Sequence, residues 1–287
     1  MGDGVKTPEY SIDTTLGIMD QAKIDYSILS ISSPHINTGE ASSTFDLATE
    51  VNEYATTQHN KYPDKIGFFA SIPLPYVDES LSTIKQIATD GQAAGFTLPT
   101  NSRGVYLGYP QLDPIMQALD DQHAIVALHP NAPGIIDSHV NQDVPQPILE
   151  FFFDTTRTVV NMLTHGIFTR YPNIKFIIPH AGAVLPLVAN RIPFARGLNP
   201  KLTPEQLDIQ SVMSSQYFDV AGMVLSQQLP ALLELIDPDK LLYASDTPYT
   251  PTPAVIGLAN KLETTDLLSP SLKTKMFRQN AQRLFKL

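Results

Sequence analysis

The fold is decided by two stretches, Ala124-Ile125-Val126-Ala127-Leu128-His129-Pro130 and Ile174-Lys175-Phe176-Ile177-Ile178-Pro179-His180. Each stretch is short, is apolar at most positions, and runs into a histidine. A short run that is apolar on both faces is typical of a parallel strand covered by helices, because a half-exposed antiparallel strand alternates apolar and polar residues. The sequence therefore predicts that both stretches belong to a parallel sheet.

The same pattern recurs at residues 27–31, 66–70, 95–98, 217–220 and 241–244. Helical patterns separate these runs. Residues 14–22 form one, and Asp78 and Asp113 are predicted N-caps of two others, with Pro114 as a first helical residue. Strands that alternate with helices indicate an α/β fold with a parallel sheet. Since no linker rich in glycine, serine or charge divides the chain, we expect a single domain over residues 1–287.

Two architectures fit this pattern, an open doubly wound sheet and a (β/α)₈ TIM barrel. Neither GxGxxG nor GxxxxGK[ST] occurs, which argues against a nucleotide-binding doubly wound sheet. A barrel needs eight strands, and the sequence supplies seven. We therefore predict a TIM barrel that lacks its first strand, whose natural place is before residue 1, as if the chain began about 30 to 50 residues late.

Composition excludes several classes of protein. The chain has 29 acidic and 19 basic residues, a formal net charge of −10 and no cysteine. This acidity argues against non-specific binding of nucleic acid or anionic lipid, and the lack of cysteine excludes disulfides, thiolate nucleophiles and iron–sulfur clusters. The N-terminal residues do not read as a signal peptide, and no apolar run has the length of a membrane span. A cytoplasmic protein is the default expectation.

Three of the predicted strands are followed at once by residues that can do chemistry. His129 ends one, His180 follows another in Pro179-His180-Ala181, and Asp246 follows the last in Ala244-Ser245-Asp246. In a barrel the carboxyl ends of the strands form one rim, so these side chains should converge there. Singly, each histidine can be an ordinary hydrogen-bonded polar residue and Asp246 a turn residue. Together they suit a divalent metal such as zinc, or an acid–base site.

The chain resembles the amidohydrolase-related proteins (amidohydrolase family 2). The similarity is to the branch that contains aminocarboxymuconate-semialdehyde, dihydroxybenzoate and methylsalicylate decarboxylases. The stretches that carry it span nearly the whole chain: Met19-Asp20, Ser30-Ile31-Ser32, Ala70-Ser71-Ile72-Pro73-Leu74-Pro75, Leu128-His129-Pro130, Glu150-Phe151-Phe152-Phe153-Asp154-Thr155-Thr156-Arg157, Arg170-Tyr171-Pro172-Asn173, His180-Ala181-Gly182, Arg191, Ser245-Asp246-Thr247-Pro248 and Asn280-Ala281.

The resemblance implies a distorted (β/α)₈ barrel of the metal-dependent hydrolase type with one divalent metal. Zinc is expected, with manganese and magnesium as alternatives. By position, His129 and Asp246 would be metal ligands, and His180 the catalytic imidazole, with Asp246 also in the catalytic site. Arg191 would bind a substrate carboxylate, reaching the neighbouring subunit's site in a homodimer, although a solvated helix residue is the alternative reading.

One departure from the family pattern limits this reading. Family members open with a His-x-His pair that binds the metal, whereas this sequence has no histidine before His35 and no His-x-His anywhere. His35 itself, in Ser33-Pro34-His35, is predicted to lie in a loop. Because stable catalytic zinc sites generally use three protein ligands, we expect weak metal binding and weak or no activity in the sequence as given.

The favoured function is metal-dependent decarboxylation of a small aromatic or enol-like carboxylic acid. A lactone or amide hydrolase of the same superfamily would use the same ligands, and a catalytically silent barrel with a binding role is a further alternative. An α/β hydrolase is disfavoured because no Gly-x-Ser-x-Gly elbow occurs. Outside the resemblance, Asp154 and Arg157 are predicted to form an (i, i+3) ion pair near a helix start.

Overall fold

Parallel strands form the centre of the molecule, for which a computed structural model describes residues 4–137, 139–141 and 143–287. The strands are β1 (Ser27–Leu29), β2 (Ile66–Ser71), β3 (Gly95–Pro99), β4 (Asn101–Ser102), β5 (Val105–Tyr106), β6 (Ile125–His129), β7 (Lys175–Ile178), β8 (Tyr217–Asp219) and β9 (Leu241–Leu242). Seven of them form one parallel sheet in the order β1-β2-β3-β6-β7-β8-β9, and β4 pairs with β5 in a small antiparallel hairpin.

Helices connect the strands. They are α1 (Ile12–Ala22), α2 (Ala41–Lys61), α3 (Val77–Asp90), α4 (Asp113–Asp121), α5 (Glu150–Thr164), α6 (Ile167–Arg170), α7 (Leu185–Val188), α8 (Ala195–Leu198), α9 (Ile209–Ser215), α10 (Gln228–Leu233), α11 (Thr252–Thr264), α12 (Pro270–Thr274) and α13 (Asn280–Phe285). Short 3₁₀ turns lie at Pro110–Leu112, Gln146–Ile148, His180–Gly182, Ala189–Phe194 and Pro238–Lys240, and a π-helical turn at Lys275–Gln279. Within the described residues, no helix combines the length and apolarity needed to cross a bilayer.

The predicted α/β fold is confirmed, and a strand lies in each of the seven predicted runs. Two predicted helix starts are wrong by one or two residues. The cap position of α3 is Tyr76, so Asp78 lies inside the first turn, where a carboxylate still complements the helix dipole. The helix α4 already includes Asp113, because the 3₁₀ turn ending at Leu112 runs directly into it.

Alternate residues of each strand pack into two separate clusters. Phe176 and Ile178 of β7 belong to the large cluster between the sheet and its helices, whereas Ile177 belongs to a small cluster on the other face. The same alternation separates Phe218 from Tyr217 on β8. Because side chains of a strand alternate between its faces, the large cluster marks the outer face of the sheet and the small cluster marks the inner face.

The sheet curls, but β1 and β9 are not paired with each other among the described residues. Residues of both edge strands line the same cavity, which places the two edges around a common space. The N-terminal residues Thr7 and Tyr10 line this cavity too, and Phe285 of α13 reaches it from the C-terminal end of the chain. A seven-stranded, incompletely closed barrel agrees with the sequence-based prediction.

Candidate functional site

A cavity of about 540 Å³ opens on the inner face of the sheet. His129, His180 and Asp246 all line it, as the strand-end pattern predicted. His129 is the last residue of β6, and the other two lie in the loops after β7 and β9. Parallel strands place their carboxyl ends at one rim, and this topology brings together residues that are far apart in the sequence.

His129 presents one imidazole nitrogen to the cavity. Its Nδ1 lies 2.7 Å from the carbonyl oxygen of Pro130, a contact in which Nδ1 donates and Nε2 keeps its lone pair. Burial, together with the nearby charge of His180, lowers the pKa of His129 to about 4. The ring is therefore neutral at pH 7, which is the state that can bind a metal or accept a proton.

Two carboxylates flank His180. Burial raises the pKa of Asp246, while the charge of His180 opposes that rise. Asp219, the last residue of β8, lines the cavity as well, and burial raises its pKa against the same opposing charge. The charge of His180 thus favours the charged forms of both acids, and Asp219 Oδ1 also accepts a hydrogen bond from the His180 backbone N at 2.9 Å.

Asp219 is not among the site residues that the sequence predicts. Along β8, Tyr217 packs in the inner cluster, so two residues further on Asp219 also faces inwards, at the strand's carboxyl end. The signal was present, because His129 was found by the same criterion, a polar residue closing an apolar run. Asp219 went unnoticed because Val220 follows it and the predicted run extended to residue 220.

Three rim residues adopt left-handed backbone conformations. The φ angles are 54° for His180, 57° for Asp246 and 63° for His35. Non-glycine residues rarely adopt this conformation, and where they do, a functional constraint is often the reason. The backbone carbonyl of Asp246 accepts a 2.8 Å hydrogen bond from Thr250 N, which fixes this turn.

His35 lies in a loop, as predicted, but its Nε2 is buried and has no hydrogen-bond partner. Burial lowers the pKa of His35 to about 3, with His129 contributing. The His35 ring is therefore neutral at pH 7, lies near His129 and has a buried Nε2.

A network centred on Asp154 supports the rim. This fully buried carboxylate accepts hydrogen bonds from Thr100 Oγ1 (2.5 Å), Asn101 Nδ2 (3.0 Å) and Tyr106 OH (2.5 Å). The predicted ion pair with Arg157 is confirmed at 3.3 Å, although it is one of four contacts. Burial and the hydrogen bond to Asp154 together raise the pKa of Tyr106 to about 12. Asp154 on α5 therefore connects this helix by hydrogen bonds to the segment from β3 to β5.

Asn131 extends this network to two other loops. Its backbone N donates to Thr100 Oγ1 at 3.0 Å, and its Oδ1 accepts from Ser33 Oγ at 2.9 Å. The loops after β1, β3 and β6 are thereby joined two residues from His129 and two residues from His35.

Arg191 lies apart from this site. It is exposed on the 3₁₀ turn Ala189–Phe194 and does not line the cavity. Its surroundings are apolar and unusually open: Phe194 and Leu198 are 78% and 92% exposed. Within one chain, therefore, the structure does not bring Arg191 together with the other predicted site residues.

The described side chains do not complete a metal site. Across residues 4–137, 139–141 and 143–287, no three His, Asp or Glu side chains are arranged to hold one ion. His129 and Asp246 are donors of suitable type, but structural and catalytic zinc sites generally need a third protein ligand.

The imidazoles and carboxylates face inwards at the carboxyl rim of a curled parallel sheet. This arrangement is typical of α/β-barrel proteins whose functional site lies at that rim. The chain matches the model of the amidohydrolase family over residues 17–287, and it belongs to that family.

Comparison with individual proteins shows which members of the family this chain resembles. The chain is 32% identical to the 6-methylsalicylic acid decarboxylase of Penicillium expansum, an alignment that covers 91% of this chain and 82% of the relative. A crystal structure of a protein described as amidohydrolase II is 46% identical and superposes with a TM-score of 0.95, covering 100% of this chain and 92% of the other. A dihydroxybenzoic acid decarboxylase from Polaromonas, solved with bound manganese, is 22% identical and has a TM-score of 0.86, with coverage of 97% and 86%. The last comparison supports the fold alone.

Proposed function

We propose that this chain is a metal-dependent carboxy-lyase that removes the carboxyl group of a small aromatic carboxylic acid. The observation that carries the proposal is the convergence of His129, His180 and Asp246 on one cavity. The relative from Penicillium expansum is a decarboxylase of such an acid, which favours cleavage of a carbon–carbon bond over hydrolysis of a lactone or amide.

His180 is assigned the proton transfer. In the forward reaction its imidazolium donates a proton to the ring carbon that carries the carboxylate, and a C–H bond forms. The bond to the carboxyl carbon then breaks, its electron pair restores the aromatic ring, and CO₂ leaves. Asp219 and Asp246 line the same cavity as His180, and Asp219 Oδ1 accepts a hydrogen bond from the His180 backbone N at 2.9 Å.

The ring of Phe152 helps to shape the site. Its centroid lies 5.6 Å from that of His180, with the planes tilted by 34°. This apolar ring covers one side of the imidazole.

His129 and Asp246 are the proposed metal donors, and a divalent ion, when bound, supplies positive charge that polarises a substrate oxygen. Manganese is one candidate, since the Polaromonas protein was solved with it, and zinc is another. The described residues do not form a three-ligand site, so we infer weak binding of the ion by this chain.

A substrate carboxylate needs a positive partner, and the described cavity offers no permanently charged one. Its lining residues include two aspartates and two histidines but no lysine or arginine. The divalent ion can supply this charge, and so can Arg191 of a second copy of the chain. The exposed Phe194 and Leu198 beside Arg191 suit burial in such a homodimer, because large apolar side chains this exposed are a liability in a monomer.

The enzymatic proposal is tested with 6-methylsalicylate and 2,6-dihydroxybenzoate as substrates, with manganese or zinc added, by measuring CO₂ release. We expect His180→Gln to lower kcat by about 10² to 10⁴-fold, the usual contribution of a positioned acid–base group. His165→Gln is the matched control, because His165 is an exposed histidine outside the cavity. Equal activity of the two variants would contradict the role of His180.

A catalytically silent binding protein is the second candidate, and the incomplete ligand set favours it. It predicts no CO₂ release at any metal concentration, together with saturable binding of the aromatic acid by calorimetry. Elemental analysis separates the two readings further: about one equivalent of tightly held metal in the purified protein would overturn the inference of weak metal binding.

A further inference from the structure

The turn that presents His180 is conformationally unfavourable. His180, Ala181 and Ala183 have φ angles of 54°, 52° and 57°, and Gly182 between them has a φ of 74°. Three non-glycine residues in a run of four therefore occupy a region that L-residues avoid. Such a turn persists only where the surrounding contacts hold it in place.

The amide of Gln228 supplies one set of those contacts. Its Nε2 donates to the carbonyl oxygens of both His180 and Ala183, each at 3.1 Å. These two carbonyls lie at the beginning and the end of the turn, so one side chain spans it. Gln228 is the first residue of α10, a helix whose Leu229 and Leu232 are fully buried, and the amide therefore projects from a fixed element.

Other contacts hold the turn from its opposite side. Asp219 Oδ1 accepts from His180 N at 2.9 Å, and Thr156 Oγ1 accepts from Val184 N at 3.1 Å. Within the turn itself, Ala183 N donates to the His180 carbonyl oxygen at 2.9 Å, and Gly182 N donates to the Pro179 carbonyl oxygen at 3.0 Å. Gln228 adds a side-chain donor that reaches the carbonyls of both His180 and Ala183.

We propose that Gln228 is a positioning residue for the reaction, which sets the place and direction of the His180 imidazole by holding the left-handed turn that carries it. This inference rests on the proposed role of His180 as the proton donor. Gln228 is uncharged and does not line the cavity, so it has no direct route to the substrate. Its effect must pass through the backbone of His180.

The chain offers a matched control in Gln210. Its Nε2 also lies near two carbonyl oxygens, of Glu234 (3.5 Å) and Leu235 (3.0 Å), but it lies on α9 outside the cavity. Gln228→Met and Gln210→Met each keep an unbranched side chain of similar length and remove the amide. A difference in kinetics between the two variants therefore measures the effect of losing the amide that binds the turn at His180.

Steady-state kinetics provide the first readout. We expect Gln228→Met to lower kcat by about 10- to 100-fold, the scale of loss that follows a misplacement of about 1 Å, while KM stays within about threefold of the wild type. Gln210→Met should leave both constants unchanged. A kcat for Gln228→Met within about twofold of the Gln210→Met value would overturn the proposal.

A second readout does not depend on activity. The ring ¹⁵N signals of His180 are assigned by their loss in His180→Gln, and we expect them to shift or broaden in Gln228→Met but not in Gln210→Met. Unchanged signals would overturn the positioning role. If the wild type releases no CO₂, the proposed function is wrong. The comparison of ¹⁵N signals still tests whether Gln228 positions the His180 ring. If Gln228→Met does not fold, Gln228→Glu, which keeps the shape and loses both N–H donors, is measured in the same two ways.

Discussion

On β7, Phe176 and Ile178 face outwards and are completely buried, whereas Ile177 between them faces inwards and keeps 6% of its surface exposed. The outer cluster connects most of the helices to the sheet, while the inner cluster contains few residues and borders the cavity. The difference teaches that one strand serves two purposes at alternate positions. Outward residues hold the fold together, and inward residues shape the site.

The largest expected effect compares two neighbouring isoleucines. Ile178→Ala should lower the free energy of unfolding by about 2–5 kcal/mol, because it leaves a hole in a closed core. Ile177→Ala removes the same atoms beside an existing cavity, so less packing is lost and the cost should be clearly smaller. Urea denaturation of both variants measures the difference. Equal losses would show that the inner face is packed as tightly as the outer one.

Much of this division could be predicted from the sequence. The seven apolar runs predicted the strands. The polar residues at the ends of two runs, His129 and His180, predicted two of the residues that line the site. Both follow from local patterns, since a strand buried on both faces is apolar throughout and parallel strands share one rim.

The remaining features depend on contacts between distant segments. Asp154 looked like one half of an ion pair with Arg157, but its other donors come from Thr100, Asn101 and Tyr106, about fifty residues earlier. In the same way, the hydrogen bond from Gln228 to the carbonyl oxygen of His180 joins residues that are 48 positions apart in the sequence. Sequence spacing carries no signal for such contacts, because only the folded topology brings the groups together.

A second prediction asks whether the rim depends on this buried carboxylate. Asp154→Asn should cost about 1–3 kcal/mol of stability, because a charged acceptor of several hydrogen bonds becomes an amide with one acceptor oxygen. The matched change is Asp113→Asn, which removes a partly exposed pair with Arg170 and should cost about 0–1 kcal/mol. Thermal unfolding of both variants provides the test, and similar losses would mean that the Asp154 network contributes no more than a surface pair.

The smallest effect concerns pH and the inner rim. Burial lowers the pKa of His35 to about 3 and that of His129 to about 4, so both rings stay neutral in the folded protein while they gain protons in the unfolded chain near pH 6.5. Stability that these groups contribute above pH 6.5 is therefore lost as the pH falls towards 4. Asp219 and Asp246, whose pKa values burial raises, act in the opposite direction, because the folded state holds their protons more firmly.

These opposing contributions make the comparison of variants more informative than the wild-type curve. His35→Asn suits the left-handed backbone at this position, since asparagine tolerates a φ of 63° better than most residues. Relative to the wild type, this variant should lose less stability between pH 7.5 and pH 5, because one buried ring no longer resists protonation. Urea midpoints measured across this range give the two slopes. If stability falls equally with pH in both proteins, His35 titrates freely and water reaches the inner rim at this position. The contrast between a closed outer face and a partly buried inner face would then not hold.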